Sequence, residues 1–461
     1  MKIEKAIDEF AKISKILLEK EKKEPVLKYH SVEDYEKLIN LSLSNKGCTE
    51  NEFFKLLKEV SLLTPRTNSK SFFNQLFAGR TGPSLSADLL ATLLNTTMHT
   101  YKVAGIQVLV EKEITNAFLE KVGYENGEGI MNPGGSLSNL VSMIIARNEK
   151  DGRILKEGYG GRKFIVYTSI ESHYSVIKNA GMLGLGRNNV RKIQSDYIGR
   201  MDATHLEAEI KKDLLEGNVP FYINATAGTT VLGAYDEFNE ISRISKKYAL
   251  WMHIDGALGG SALLSRKHKH LLEGSELSDS FTWNAHKMMN VPVCASFLLV
   301  KEKGLLRKHF SEKADYLFQG ETEDLDLGSI SMQCGRRVDA FKVWAAWKYY
   351  GLVGIERRID HLFELAEYAA SCVEQDPMFE LFRSPESVNV CFTIAGATPE
   401  KVCEYLHKKG LIMVGYSTSE GTTFIRMACI NADIEKTDID HFFKQIKVAV
   451  KALRLNKAVL V

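Results

Sequence analysis

The chain has 461 residues, 44% hydrophobic and 26% charged, a composition that supports a large folded core and excludes disorder as the main state. Lys plus Arg number 60 against 58 Asp plus Glu, and a formal charge of +2 supplies no general field for holding nucleic acid. The seven cysteines, Cys48, Cys294, Cys334, Cys372, Cys391, Cys403 and Cys429, are scattered and never spaced C-x-x-C. Neither a disulfide framework nor a metal site is expected from them, and a reducing, cytoplasmic compartment is.

The first 25 residues are basic and amphipathic, but Glu4, Asp8, Glu9 and Glu19 depart from the acid-poor pattern of a transit peptide. Ile3, Ile7, Phe10 and Leu17 follow helical spacing, with Ser14 as a polar interruption. That predicts a surface helix docked on the body or on a second subunit. Nowhere do about eighteen apolar residues run together, so no membrane span is expected. From about residue 130, short β-rich runs (163–170, 219–228, 250–257, 278–286 and 295–302) alternate with amphipathic helices such as "THLEAEIKKDLLEG" and "EFNEISRISKKYA". Strand, crossover helix, strand is the pattern of a mostly parallel sheet, buried on both faces, with ligands beyond the carboxyl ends of its strands. A long helical stretch (341–375) leads into an α+β segment with strands near "VNVCFTI" and "TTFIRMACI". The expected division is an N-terminal helical arm (1–70), a large domain (71–345) and a small C-terminal domain (346–461).

Chemistry collects at the strand ends. Asp255 closes the apolar run "LWMHIDGA", where an uncompensated charge costs several kcal/mol and calls for a cationic partner. Thr229 and Thr230 follow "YINATAG" in a turn, and "MNPGGSLSNL" (131–140) is a Gly-rich turn opening into a helix, a geometry that offers backbone N–H groups to a phosphate. Lys287 lies in "DSFTWNAHKMMNVPV" (279–293), an apolar setting for a residue seldom buried without a partner. Each feature alone has an ordinary reading: a helix cap, a structural threonine pair, a lysine snorkelling from a strand end. Together they match the demands of pyridoxal phosphate, which needs a phosphate cradle, an amine for a Schiff base and a carboxylate to hold a proton on its ring nitrogen. Desolvation of Lys287 would favour its neutral, nucleophilic amine.

These residues resemble the group II pyridoxal-phosphate decarboxylases, and within them the branch of glutamate decarboxylase and cysteine sulfinate decarboxylase. The similarity runs from about residue 72 to the C-terminus. "NAHKMM" looks like that branch's Asn-Pro-His-Lys-Met-Met, "HIDGALGG" like its His-Val-Asp-Ala-Ala-Trp-Gly-Gly, and "ATAGTTVLGAYD" carries its Gly-Thr-Thr turn. The resemblance implies an α/β, fold-type I, aspartate aminotransferase-like architecture. It implies Lys287 as the Schiff-base lysine, Asp255 at the ring nitrogen and His173 of "ESHYS" stacked on the ring. Gly135 and Ser136 would bind the phosphate, with Thr230, His286 and Asn284 helping. "ADYLFQGETEDLDLGS" (314–329) matches the family's catalytic loop. Its Tyr316 would donate the proton in the neighbouring subunit's site, and Gly328 and Ser329 would close the neighbour's phosphate site, making an obligate homodimer.

By the same resemblance Arg426 grips the distal acid of the substrate, and Gln75 and Phe77 line its side-chain pocket. Glutamate decarboxylases typically carry serine where Phe77 stands, so a shorter acid, cysteine sulfinate or aspartate, is expected to be favoured. Glutamate decarboxylation to 4-aminobutanoate is one alternative; decarboxylation of a non-acidic amino acid, transamination and lyase chemistry are others. Three departures stand out. Ala285 replaces a proline, which is expected to loosen the turn aiming Lys287; Gly256 replaces an alanine, removing a methyl expected near the ring; Leu258 replaces a tryptophan.

Overall fold

The computed structural model describes residues 1–312 and 323–458, with side chains described through 312 and over 324–455. They form two compact units. One comprises Arg80–Ala366 with Arg383–Asn389; the other comprises Met1–Gly79, Glu367–Phe382 and Val390–Val461. This division groups the N-terminal helices with the C-terminal sheet, whereas the sequence reading separates them at residues 70 and 345.

The first unit is built on a seven-stranded sheet. Its strands are β1 (Glu128–Asn132), β2 (Phe164–Ser169), β3 (Val190–Ile193), β4 (Val219–Thr226), β5 (Trp251–Gly256), β6 (Ser280–Asn284) and β7 (Ser296–Val300), in the order β1-β7-β6-β5-β4-β2-β3. The pairs from β3 through β2, β4 and β5 to β6 are parallel, and β7 runs antiparallel to both β6 and β1. The mostly parallel sheet read from the βαβ pattern is therefore present. β1 and β3, "EGIMN" and "VRKI", escaped that reading because each is too short and mixed to show a β-rich run. Crossover helices link the parallel strands. Asp202, for example, starts the helix Ala203–Leu215 by accepting from the N–H groups of Thr204 (2.8 Å) and His205 (3.0 Å). Apolar clusters pack between these helices and the sheet, one around Val108, Ile145 and Leu298, another around Phe164, Val176 and Phe221. The helix Ala340–Glu374 is interrupted at Gly351, where φ is 60°.

The second unit carries a four-stranded sheet of β8 (Phe379–Leu381), β9 (Asn389–Ile394), β10 (Gly415–Ser419) and β11 (Thr422–Ala428), ordered β10-β11-β9-β8. The chain near residue 73 joins this sheet: Phe73 N–H donates to Met413 O (2.8 Å), and Ala428 N–H to Phe73 O (3.0 Å). The Phe73 ring packs edge-on against Phe442, with centroids 5.0 Å apart. Those contacts explain why this segment belongs with the C-terminal elements. The first helix, Ile3–Lys23, forms as its spacing predicts, but Ile3, Ile7 and Phe10 are 68%, 47% and 49% exposed. None of the seven cysteines, all of them described, is in a disulfide. No described helix is long and apolar enough to cross a membrane.

Candidate active site

A parallel sheet covered on both faces by helices is ordinarily apolar throughout. Three adjacent strands here are not. Tyr222, Asn224 and Thr226 on β4, His253 and Asp255 on β5, and Ser280, Thr282 and Asn284 on β6 alternate with apolar residues, and all are buried. A period of two puts them on one face, and the register sets Thr226 beside Asp255 and Asp255 beside Thr282. The helix Gly135–Lys150 covers that face with polar side chains of its own. Ser142 meets the Tyr222 hydroxyl at 2.6 Å, Ser138 meets Ser296 at 2.9 Å, and the Asn139 amide donates to Asp255 at 2.7 Å.

Beyond the carboxyl ends of β4, β5 and β6 lies a cavity of about 210 Å³. Of the residues singled out in the sequence, Gly135, Ser136, His173, Thr230, Asp255, Asn284, His286 and Lys287 all line it; Asn139, Thr226 and Leu258 line it as well. The Gly-rich turn opens the covering helix with Gly134 at φ 133°, and among the described residues no side chain caps its first N–H groups. A Cβ on Gly135 would sit 2.9 Å from Asn284 Nδ2, so glycine there keeps the main chain close to β6. Asp255 is 5% exposed and accepts from the Asn139 amide and the Ala257 N–H (3.1 Å). Burial lowers the pKa of His173, partly offset by Asp255, and Lys287 lowers it further. The His173 Nδ1 accepts from Ser175 N–H at 3.3 Å, which leaves the proton of the neutral ring on Nε2. Burial also takes His286 down to about 4.

Two departures read from the sequence act differently in the structure. With Ala285 in place of proline, the turn is still pinned by main-chain bonds from Lys287 N–H to Asn284 O (3.1 Å) and from Asn290 N–H to Lys287 O (3.1 Å). The Asn290 side chain adds a bond to the same carbonyl at 3.3 Å. The loosening expected there is met by these bonds. Gly256 faces away from Asp255, and a Cβ at that position would run into the Phe281 ring on the opposite face of the sheet. Its missing methyl makes room for an aromatic core and leaves the cavity side untouched. Leu258 does line the cavity and is 2% exposed.

The remaining sequence-selected residues belong to other segments of the chain. Gly328 and Ser329 occupy the turn Leu327–Ile330, where Gly328 N–H donates to His99 O (2.8 Å) and the buried Ser329 hydroxyl donates to Asp326 O (2.7 Å). Tyr316 falls outside the described residues. Gln75, Phe77 and Arg426 belong to the second unit. There Gln75 is exposed, Phe77 tilts against Phe72 with centroids 6.2 Å apart, and Arg426 on β11 donates to the Asn74 carbonyl. Burial lowers the Arg426 pKa. Asn139 and His253 were missed as site residues, although both stand inside quoted motifs. Their signals were spacing: Asn139 is four residues, about one helical turn, beyond Gly135, and His253 shares the face of Asp255 two residues away.

Residues 34–395 match the model of the pyridoxal-dependent decarboxylase conserved domain. The chain belongs to that family. It is 38% identical over 450 residues to the acidic amino acid decarboxylase GADL1 of Mus musculus, covering 92% of this chain and 81% of the relative. It is 36% identical over 449 residues to the cysteine sulfinic acid decarboxylase of Mus musculus, covering 92% and 91%. The crystal structure of mouse CSAD in apo form superposes with a TM-score of 0.92 at 34% identity, covering 97% of this chain and 99% of that one. The architecture is thus that of the fold-type I enzymes, and this chain is a pyridoxal-phosphate-dependent amino-acid decarboxylase. The cavity suits that cofactor on its own chemistry. Besides a lysine amine, a buried carboxylate and a helix start, it presents two buried oxygens without partners among the described residues, Asn284 Oδ1 and Thr226 Oγ1. Buried polar atoms of this kind are rare unless a ligand or water meets them.

Proposed function

We propose that the chain decarboxylates small acidic L-amino acids, with cysteine sulfinate and aspartate preferred over glutamate. The observation that carries this reading is Arg426, a guanidinium set in the apolar strand β11, where it donates to the Asn74 carbonyl and burial lowers its pKa. A planar cation in such a place suits a carboxylate or sulfinate. The names of the relatives GADL1 and cysteine sulfinic acid decarboxylase support the same substrate class.

In this reading pyridoxal phosphate supplies an electron-accepting ring that takes up the electron pair left at the substrate's Cα when carbon dioxide departs. Lys287 would anchor it covalently, Asp255 would hold the proton on its ring nitrogen, and His173 would pack against it. Gly135, Ser136, Thr230, Asn284 and His286 hold the phosphate with N–H and side-chain donors. Tyr316 returns a proton to Cα, and each subunit's Gly328 and Ser329 complete the other's phosphate site. The reading includes a homodimer and a cytoplasmic compartment, and the exposed Ile3, Ile7 and Phe10 stripe supports a second copy as the surface it meets. Gln75 and Phe77 line the side-chain pocket, and the Phe77 ring shortens it.

A competition assay among cysteine sulfinate, aspartate and glutamate tests the preference. The two shorter acids should show the higher kcat/KM, by about tenfold or more, since one methylene is worth about 1–3 kcal/mol in such a pocket. A clear win for glutamate or for an uncharged amino acid overturns the assignment. Arg426→Ala should lower kcat/KM on acidic substrates by several kcal/mol of transition-state binding, and unchanged kinetics would remove Arg426 from the site.

A further inference from the structure

Asn139 is 1% exposed, and every hydrogen-bonding position of its side chain is used. Its nitrogen donates to Asp255 Oδ2 (2.7 Å) and to Ser175 Oγ (3.2 Å). Its oxygen accepts from Thr282 Oγ1 (2.8 Å) and faces His253 Nε2 at 3.1 Å. Two donated and two accepted bonds are the full capacity of a primary amide.

The chemistry of the ends sets the direction of this chain. An ionised carboxylate only accepts, so the amide nitrogen must face Asp255 and the oxygen must face His253. His253 therefore carries its proton on Nε2, and its Nδ1 accepts from the Ser280 hydroxyl at 2.8 Å. Ser280 Oγ in turn accepts from Trp251 Nε1, also at 2.8 Å, and an indole N–H only donates. From Trp251 through Ser280, His253 and Asn139, each bond points toward Asp255. His253 is fully buried, and burial keeps it neutral by lowering its pKa to about 4.

We propose that Asn139 and His253 are positioning residues, which hold the Asp255 carboxylate turned into the cavity so that it keeps the cofactor's ring nitrogen protonated. The inference rests on the role given to Asp255 above. A row of aligned neutral dipoles stabilises a buried carboxylate without neutralising it, as a lysine or arginine would, and so leaves its charge for the cation it is to meet.

Two measurements test this. Nitrogen-15 spectra of the histidines in the wild-type apoenzyme should show His253 neutral with its proton on Nε2; a proton on Nδ1 would overturn the proposal. Reconstitution with ring-labelled pyridoxal phosphate then reads cofactor affinity and ring-nitrogen protonation at neutral pH. His253→Gln keeps a donor toward Asn139 and should match wild type. His253→Leu and Asn139→Leu should each lose about tenfold or more in affinity, as expected when a charge-assisted bond or its support is removed, and should shift the ring nitrogen toward its deprotonated signal. Wild-type affinity and protonation in His253→Leu would overturn the proposal, and if the leucine variants fail to fold, the tautomer decides it. Asp255→Asn separates this inference from its premise. If that variant alone changes ring protonation, the network has no positioning role; if it too leaves the ring protonated, the role of Asp255 itself fails.

Discussion

The two faces of strands β5 and β6 solve the same problem of burial by different means. On one face His253, Asp255, Ser280 and Thr282 are linked by hydrogen bonds of 2.7–3.3 Å through Asn139 and its neighbours. On the other, Phe281 and Trp283 pack with Phe118 and Phe297: Phe118 stacks on Trp283 with centroids 4.3 Å apart and meets Phe297 edge-on at 4.9 Å. Gly256 belongs to this second face, where the Phe281 ring takes the space a side chain would need. Hydrogen bonds are directional, so the first face fixes orientation and can aim a charge. Apolar packing is not directional, so the second face mainly supplies stability. Function and stability should therefore separate by face, even between residues one position apart.

The largest effect should come from Asp255→Ala. Decarboxylase kcat/KM is expected to fall about a thousandfold or more, about 4 kcal/mol of transition-state stabilisation, while the thermal midpoint changes little. A variant that unfolds but keeps its activity per folded molecule would break the contrast. Phe118→Ala on the opposite face should do the reverse. It should cost about 3–5 kcal/mol of stability through the cavity left beside Trp283, with kcat of the folded fraction retained. Denaturant unfolding alongside steady-state kinetics reads both quantities.

A smaller effect, specific to the polar face, appears with pH. The His253 pKa falls from 6.5 to about 4 on folding, so the unfolded chain binds the extra proton first. The stability tied to this group is fully present above pH 6.5 and is lost as pH falls toward 4, by up to roughly 1.4 kcal/mol per pH unit. Asp236, which burial raises from 3.8 to about 7, titrates with the opposite sign over the same range. The comparison must therefore be between wild type and His253→Gln, whose unfolding free energy should fall less steeply between pH 6.5 and 4. Parallel pH profiles for the two would show that His253 is not buried neutral.

Much of the site could be read locally. The Gly-rich turn at Gly135, Thr230, Asp255 and Lys287 stand in short motifs whose residue types suit a phosphate, a ring nitrogen and an aldehyde; Ser136, His173, Asn284 and His286 came from the family resemblance, and all eight residues line one cavity. The strands β2, β4, β5, β6 and β7 were legible because β-rich runs ended by Gly, His or polar residues recur between amphipathic helices. The short β1 and β3 were not, because their membership depends on partners such as Val300 for Glu128 and Val166 for Val190.

By itself, then, the sequence determined the family, the cofactor and the strand ends at which the chemistry gathers, because periodicity and motif spacing are local properties of the chain. Tertiary structure alone decided that Asn139 reaches Asp255 across 116 positions, that His253 points its proton toward Asn139, and that Gly256 answers to Phe281. Hydrogen-bond partners and close packing depend on how a helix settles on a sheet and in which register its strands pair. Neither is written in the residues on one side of the contact.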